Sequence, residues 1–361
     1  MSTSPLVPVF DGHNDTVAQI RSLPPHEART FLERSDRGHI DLPRAREGGL
    51  AGGLFAIFTA NRDTERVIKP MIGPDGQEVP GGRTVDLPPR LDRRHALTFT
   101  LACMSDLLRL ERKAEGALKI VRTAAELRRC LADGTFAAVL HVEGVEALDT
   151  RLEALDVLVE AGLRSLGLVW SRPNAFGHGV PFDFPRGPDT GPGLTGPGKR
   201  LVKACNEMGV LVDLSHLNEK GFWDVAKISD APLVATHSCA WTLAPSPRNL
   251  TDRQLDAIGA SGGMVGINFH TGFLRADGQT EEPTSLTQIV RHARYVVDRI
   301  GVEHVGLGSD FDGAHMPDDL GDVTGLPRLI QALRDGGFGE ADVRRIAHEN
   351  WVRVLETTWA G

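Results

Sequence analysis

Val7-Pro-Val-Phe-Asp-Gly-His-Asn-Asp15 is the first apolar run of the chain, and it stops abruptly on two side chains able to bind metal, His13 and Asp15. The run reads as a short buried strand, Val7–Gly12. Side chains two residues apart on a strand face the same way, so the imidazole and the carboxylate can converge on one point at its end. A lone His-x-Asp is weak evidence, because a turn aspartate beside an ordinary histidine looks the same. The question is whether other strands of the chain end in the same manner.

Outward from this run, short apolar and β-branched stretches alternate with amphipathic helical spacing. Further strands are read at Gly53–Ala60, Phe136–Val142, Arg164–Trp170, Val210–Ser215, Leu233–Thr236, Met264–Phe269 and His304–Gly308. Helices are read at Leu91–Glu115, from Thr123 to Leu131, from Leu152 to Gly162, and then at Gly198–Met208, Glu219–Ile228, Ser285–Ile300, Leu326–Asp335 and Glu340–Thr357. Eight strands separated mostly by helices predict a TIM (β/α)8 barrel with parallel strands and right-handed crossovers. An open doubly wound sheet would want a glycine fingerprint in its first turn, and Gly12-His-Asn-Asp15 is not one. No repeat or linker divides the chain, so residues 1–361 are taken as one domain. Two Gly/Pro-rich stretches, 61–90 and 171–197, are read as loop insertions, the first as a lid or an oligomer contact and the second as cover for the site.

Barrel active sites lie at the C-terminal ends of the strands. There stand His13 and Asp15, Glu143, Trp170, His216, His237, His270 and Asp310. Each alone has a plain structural reading: a hydrogen-bonded histidine, a helix-capping aspartate, a solvated glutamate. A ring filled this way is harder to assign to chance. Imidazole and carboxylate without thiolate suit zinc, with manganese, cobalt or iron also compatible. His13 and Asp15 could hold one ion and His216 and His237 another, with Glu143 bridging. Paired ions lower the pKa of a shared water and polarise a substrate oxygen. Asp310 remains as a proton shuttle. Of the other histidines, His26, His39, His95 and His292 read as structural, and so in the first instance does His141, with support beneath Glu143 as its alternative. Arg172 and Arg248 are loop cations on the same side.

Composition narrows the partners. A net charge of −8 without a basic cluster argues against nucleic acid or an anionic membrane surface. No apolar stretch approaches the roughly 20 residues of a membrane span. The start shows neither a charged nor an apolar signal region. Four scattered cysteines (Cys103, Cys130, Cys205, Cys239) form no CxxC and read as reduced thiols, which places the expectation in the cytoplasm. A homodimer is the default expectation from the prevalence of such assemblies.

With these residues in place, the chain resembles the renal (membrane) dipeptidase family of the amidohydrolase superfamily. The resemblance rests on FDGHND (Phe10–Asp15), HVEG (His141–Gly144), GLTGPGKRLV (Gly193–Val202), LVDLSH (Leu211–His216), THS (Thr236–Ser238), SPRNL (Ser246–Leu250) and GLGSDFDG (Gly306–Gly313). It implies a (β/α)8 barrel with two zinc ions that hydrolyses dipeptides, often with a C-terminal D-residue. By position it implies His13 and Asp15 as ligands of one zinc, His216 and His237 of the other, Glu143 as the bridge, and Asp310 as general acid/base. It further implies that Arg248 binds the substrate's carboxylate, a fit for a bidentate guanidinium. Trp170 stands where mammalian members carry a histidine, and His270 where they carry a tyrosine, so substrate preference is where this chain departs. The expected enzyme is a soluble zinc dipeptidase acting through a metal-bridging hydroxide, with Trp170 and His270 at the substrate. The competing readings are an amidohydrolase of β-lactams, cyclic amides or N-acyl amino acids, and a barrel that has become a scaffold.

Overall fold

A computed structural model of the chain describes residues 6–61 and 67–359. Strands β1 (Val9–Asn14), β2 (Leu50–Phe58), β6 (Phe136–Glu143), β7 (Leu163–Gly167), β8 (Leu211–Asp213), β9 (Val234–Ser238), β10 (Met264–Ile267) and β11 (Val305–Leu307) run parallel in the order β2-β1-β11-β10-β9-β8-β7-β6. Pairing of β2 with β6, from Gly52↔Ala137 to Phe58↔Glu143, closes the ring. The expected TIM (β/α)8 barrel is therefore present, with helices between most of its strands.

Three strands were not anticipated. The short β5 (Leu118–Ile120) pairs with the start of β6, on the edge that β7 occupies further along. Within the stretch 61–90, expected to be loop, an antiparallel hairpin joins β3 (Ile68–Ile72) to β4 (Glu78–Val85). Its strands are exposed along most of their length and lack the buried apolar alternation that marks a strand in sequence. The stretch 171–197 holds no strand, and the helix Gly196–Glu207 starts at its end.

Local chemistry explains the helix boundaries. Asn218 accepts a hydrogen bond from the Gly221 N–H at 2.9 Å and starts Glu219–Ile228. Thr123 caps Ala124–Asp133, which ends on Gly134 in the left-handed region. The stretch 340–357, expected as one helix, is an α-helical turn (Glu340–Arg344), a π-helical turn (Arg345–Glu349) and the helix Asn350–Trp359.

The last helix closes the bottom of the barrel. Its Trp351 is fully buried and donates from Nε1 to the Leu307 carbonyl at 2.9 Å. A Cβ on Gly12 would lie 2.2 Å from the Trp351 ring, and one on Gly306 would lie 2.7 Å from its Nε1. Glycine at these two strand positions makes room for the indole. The floor beneath His13 is thus a packed aromatic rather than a water-filled pore.

Candidate metal centre and active site

The strand ends bring the polar ring together. On β1 the ladder to β2 slips between Asp11 and Asn14, a bulge that re-aims the strand's last side chains. His13 Nε2 comes 3.7 Å from Asp15 Oδ2 and 3.7 Å from Glu143 Oε1. Asp15 occupies the N-cap position of the helix Thr16–Ser22 yet makes no capping hydrogen bond, so its carboxylate is left for the cluster. Glu143, at the end of β6, sets the same Oε1 at 2.9 Å from His216 Nε2 and 3.3 Å from His237 Nε2. The two imidazole nitrogens are 3.2 Å apart. His13 stacks on His237 with ring centres 3.7 Å apart.

These residues fit a pair of divalent cations. Both ring nitrogens of His13 and Oδ1 of Asp15 are buried without a hydrogen-bond partner. Leaving such atoms unsatisfied costs about 1–3 kcal/mol each. Donor separations of 2.9 to 3.7 Å bracket the ~3.3 Å edge of a tetrahedron with ~2.0–2.1 Å bonds. Two donor groups, His13/Asp15/Glu143 and Glu143/His216/His237, share Glu143.

Burial and crowding set the charges of the cluster against one another. Burial pushes the Glu143 carboxyl well above its usual range, and nearby Asp15 and Asp310 add to this, against the pull of His13. Asp15 is raised for the same first reason. Burial alone would lower His13, but Glu143, Asp15 and Asp310 outweigh it and raise the imidazole to about 10. His237 goes the other way, driven down by burial and by His13 and Arg248. A proton on His13 stands here for the positive charge that the carboxylates call for.

Supporting hydrogen bonds fix which nitrogens face the centre. Ser171 Oγ lies 2.8 Å from His216 Nδ1, and Thr236 Oγ1 2.9 Å from His237 Nδ1, so both rings present Nε2 inward. Asp213 accepts from the Thr236 hydroxyl at 2.6 Å and from the Thr236 and Ser215 N–H groups at 2.8 and 2.9 Å. Asp11 accepts from the Ser309 N–H and hydroxyl at 2.7 and 2.8 Å, tying β1 to β11; burial raises its carboxyl to about 6. His141 bonds Ser165 at 2.8 Å, and burial lowers it to about 3, so it is a neutral support beneath Glu143. Of these, sequence reasoning singled out only His141. Asp11 carried a usable signal, standing two residues before His13 on the same face.

Asp310 follows β11 and donates its N–H to the His13 carbonyl at 2.9 Å. Its Oδ2 accepts from Asn268 Nδ2 at 2.9 Å, a residue the sequence reading passed over. Asp310, Asp312 and His216 all hold left-handed backbone, with φ of 62°, 66° and 66°. Such strained conformations gather where a site dictates geometry. Asp312 is buried and anchors the turn, accepting from Thr16 Oγ1 at 2.7 Å, Arg29 Nη2 at 3.1 Å and the His39 N–H at 2.5 Å. A Cβ on Gly313 would fall 2.0 Å from Asp15 Oδ2 and 2.8 Å from Asp310 Oδ1, so the turn closes on the cluster only with glycine.

Above the cluster opens a cavity of about 560 Å³, lined among others by Glu143, Asp310, Trp170, Phe182, Phe273 and His270. Trp170 packs on Phe58 with ring centres 4.7 Å apart, and Phe182 stacks on Phe273 at 6.2 Å. His270 meets the edge of Phe273, and burial holds its imidazole down at about 4. Arg248 is 3% exposed; its Nη2 donates to the His237 carbonyl at 3.0 Å, while Nε and Nη1 are buried without partners. Arg172 does not face the site as the sequence suggested. It is buried and engaged by Glu146, the Thr59 carbonyl and Asn61, each at 2.8 Å.

A barrel with an imidazole–carboxylate cluster at its C-terminal mouth defines a metal-dependent hydrolase. Residues 4–360 match the membrane dipeptidase family, peptidase family M19, and the chain belongs to that family of metallo-dipeptidases. It is similar to a metallopeptidase from Rhodobacter sphaeroides whose crystal structure holds a phosphinate mimic of the dipeptide L-Ala-D-Ala. The two are 49% identical, with a TM-score of 0.90, over 98% of this chain and 99% of that one. The crystal structure of dipeptidase AC, a metallopeptidase of the same family, matches at the same identity, TM-score and coverage. An uncharacterised protein encoded in the pqqA 5′ region of Klebsiella pneumoniae is 50% identical over 244 residues, 68% of this chain and 90% of that protein. No helix among the described residues is long and apolar enough to cross a membrane.

Proposed function

We propose that this metallo-dipeptidase hydrolyses the peptide bond of free dipeptides, including those with a C-terminal D-residue, at a binuclear zinc centre. The observation that carries the reading is the single Glu143 oxygen set among three imidazoles, with Asp15 completing the group. His13 and Asp15 would hold one ion, His216 and His237 the other, and Glu143 both. Bound there, the pair would supply Lewis acidity and lower the pKa of water toward neutrality.

The chain's own residues account for the rest. Asp310, held toward the cluster by Asn268, takes the proton of the attacking water and hands it to the leaving amine. Arg248 keeps Nε and Nη1 without a partner, and a terminal carboxylate would supply the charge-assisted acceptor they lack. The aromatic wall of Trp170, Phe182 and Phe273 sheds water from the bond under attack. The cavity volume lies within the range of small-molecule sites. Support for a D-residue comes from the L-Ala-D-Ala mimic in the Rhodobacter relative.

The test is metal analysis and a substrate panel on one preparation: L,L- and L,D-dipeptides, a tripeptide, a β-lactam and N-acyl amino acids. About two zinc per chain and cleavage confined to dipeptides are expected. Turnover of the N-acyl amino acids or lactam in preference to every dipeptide would reassign the substrate.

A further inference from the structure

The hairpin β3–β4 brings a cation to the cavity that the proposed reaction does not use. Arg83, on β4, lines the cavity alongside Ile68 and Val85 of the same hairpin. Its place is fixed through the backbone. The Arg83 N–H donates to the Phe184 carbonyl at 2.7 Å, and the Phe184 N–H returns to the Arg83 carbonyl at 2.8 Å. Two residues further, the Val85 N–H donates to Asp183 Oδ1 at 2.7 Å. The hairpin is thereby fastened to the 171–197 segment, and the Arg83 guanidinium rests over the Phe184 ring at 5.5 Å.

Among the described residues the Arg83 guanidinium lacks an anion. It forms no ion pair with any of them, whereas the acids whose charge reaches it are engaged elsewhere. Asp183 accepts from Val85 and from Arg186 Nη1 at 2.5 Å, and Asp277 is bound by both Arg275 Nε and Nη2. A half-buried arginine against an aromatic ring, facing a cavity and without a counter-charge, is placed to receive one from a ligand. Of the acids lining the cavity, Asp15 and Glu143 are assigned to the metals, Asp310 to proton transfer and Asp312 to its turn, and the substrate's terminal carboxylate is assigned to Arg248. A second carboxylate would have to come from a side chain.

We propose that Arg83 is a specificity residue that selects dipeptides carrying an acidic side chain. This rests on the dipeptidase reading above. The guanidinium forms charge-assisted hydrogen bonds to the side-chain carboxylate of a substrate Asp or Glu, and the amide isosteres cannot replace them. The hairpin then acts as the specificity arm of a site whose chemistry lies on the barrel.

The experiment compares kcat/KM for matched dipeptides with Glu or Gln, and Asp or Asn, in the first and in the second position, in both C-terminal stereochemistries. Wild-type, Arg83→Met and Arg83→Lys enzymes are tested after metal loading. In the wild type the acidic member of one pair is expected to exceed its amide by about tenfold or more. Arg83→Met should bring that ratio to about one, and Arg83→Lys should restore part of it. Phosphinate dipeptide mimics with acidic or amide side chains give the same comparison by equilibrium binding. A wild-type ratio near one in every pair overturns the proposal, as does an acidic preference that survives Arg83→Met. Failure to cleave any dipeptide would refute the underlying substrate reading, and the selection by Arg83 with it.

Discussion

Replacing Asp310 by Asn tests the proton shuttle with little collateral change. Asp310 sits at φ 62°, a left-handed conformation that asparagine tolerates better than most residues. Its backbone bond to His13 is untouched, and the new amide can turn its oxygen to Asn268 Nδ2, preserving the 2.9 Å contact. What disappears is the ability to accept a proton. Loss of a positioned general base typically costs about 10²–10⁴ in rate, or roughly 2.7–5.4 kcal/mol of barrier at 1.36 kcal/mol per tenfold. Asp310→Asn should therefore lower kcat by that factor with KM changed only modestly. The two groups assigned to the ions, His13/Asp15/Glu143 and Glu143/His216/His237, do not include it, so the metal content should hold; Asp310 belongs only to a further group with His13 and His237. The assay is steady-state kinetics on one L,D-dipeptide, with zinc stoichiometry and thermal melting on the same samples. A kcat within about threefold of wild type, at full zinc, would refute the role. Loss of zinc together with rate would instead make Asp310 a ligand, which its place near His13 and His237 makes worth checking.

Two further substitutions probe the neighbours. Gly313→Ala would drive a methyl onto Asp15 Oδ2, so zinc stoichiometry should fall while the circular dichroism spectrum stays native; full zinc would mean that Asp15 can move aside or is not a ligand. Arg248→Met should raise KM for free dipeptides by about tenfold or more and affect dipeptide amides much less. Equal losses on both would show that Arg248 serves the fold, through its bond to the His237 carbonyl, rather than the substrate.

The barrel was legible because its strands are short apolar runs, most of them followed at once by a polar residue. His13, Glu143 and His237 all follow such runs, and closing the ring converts a list of strand ends into a place. Helix boundaries at Asn218 and Thr123 were readable because capping is local chemistry. The hairpin was not, since Ile68-Lys-Pro-Met-Ile72 is mostly exposed and is held by β4, itself bonded at Arg83 to Phe184, rather than by a buried face. Nor was the shell of Asp11, Asp213, Thr236, Ser171 and Asn268. Their roles depend on which strand lies next to which, a property of the closed ring and not of any one segment. Arg172 shows the opposite case: read as a loop cation on the site side, it is buried and neutralised by Glu146 in the interior. The polar residues expected at one mouth do converge there, and the stretch 61–90, expected as a lid or an oligomer contact, differs in being a hairpin rather than a loop.

The left-handed backbone at His216, Asp310 and Asp312 has a consequence for how such a site can vary. At these three positions the main chain restricts the choice of side chain before chemistry does. β-Branched residues are strongly disfavoured there, while Asn, Asp, His and Gly are the side chains that tolerate it best. The turn geometry therefore limits which substitutions the fold accepts at three positions of the site. Trp170, Phe182 and Phe273 on the aromatic wall have no such backbone requirement. Within one mouth, the chemistry stands on backbone that selects its side chains and the substrate wall on backbone that does not.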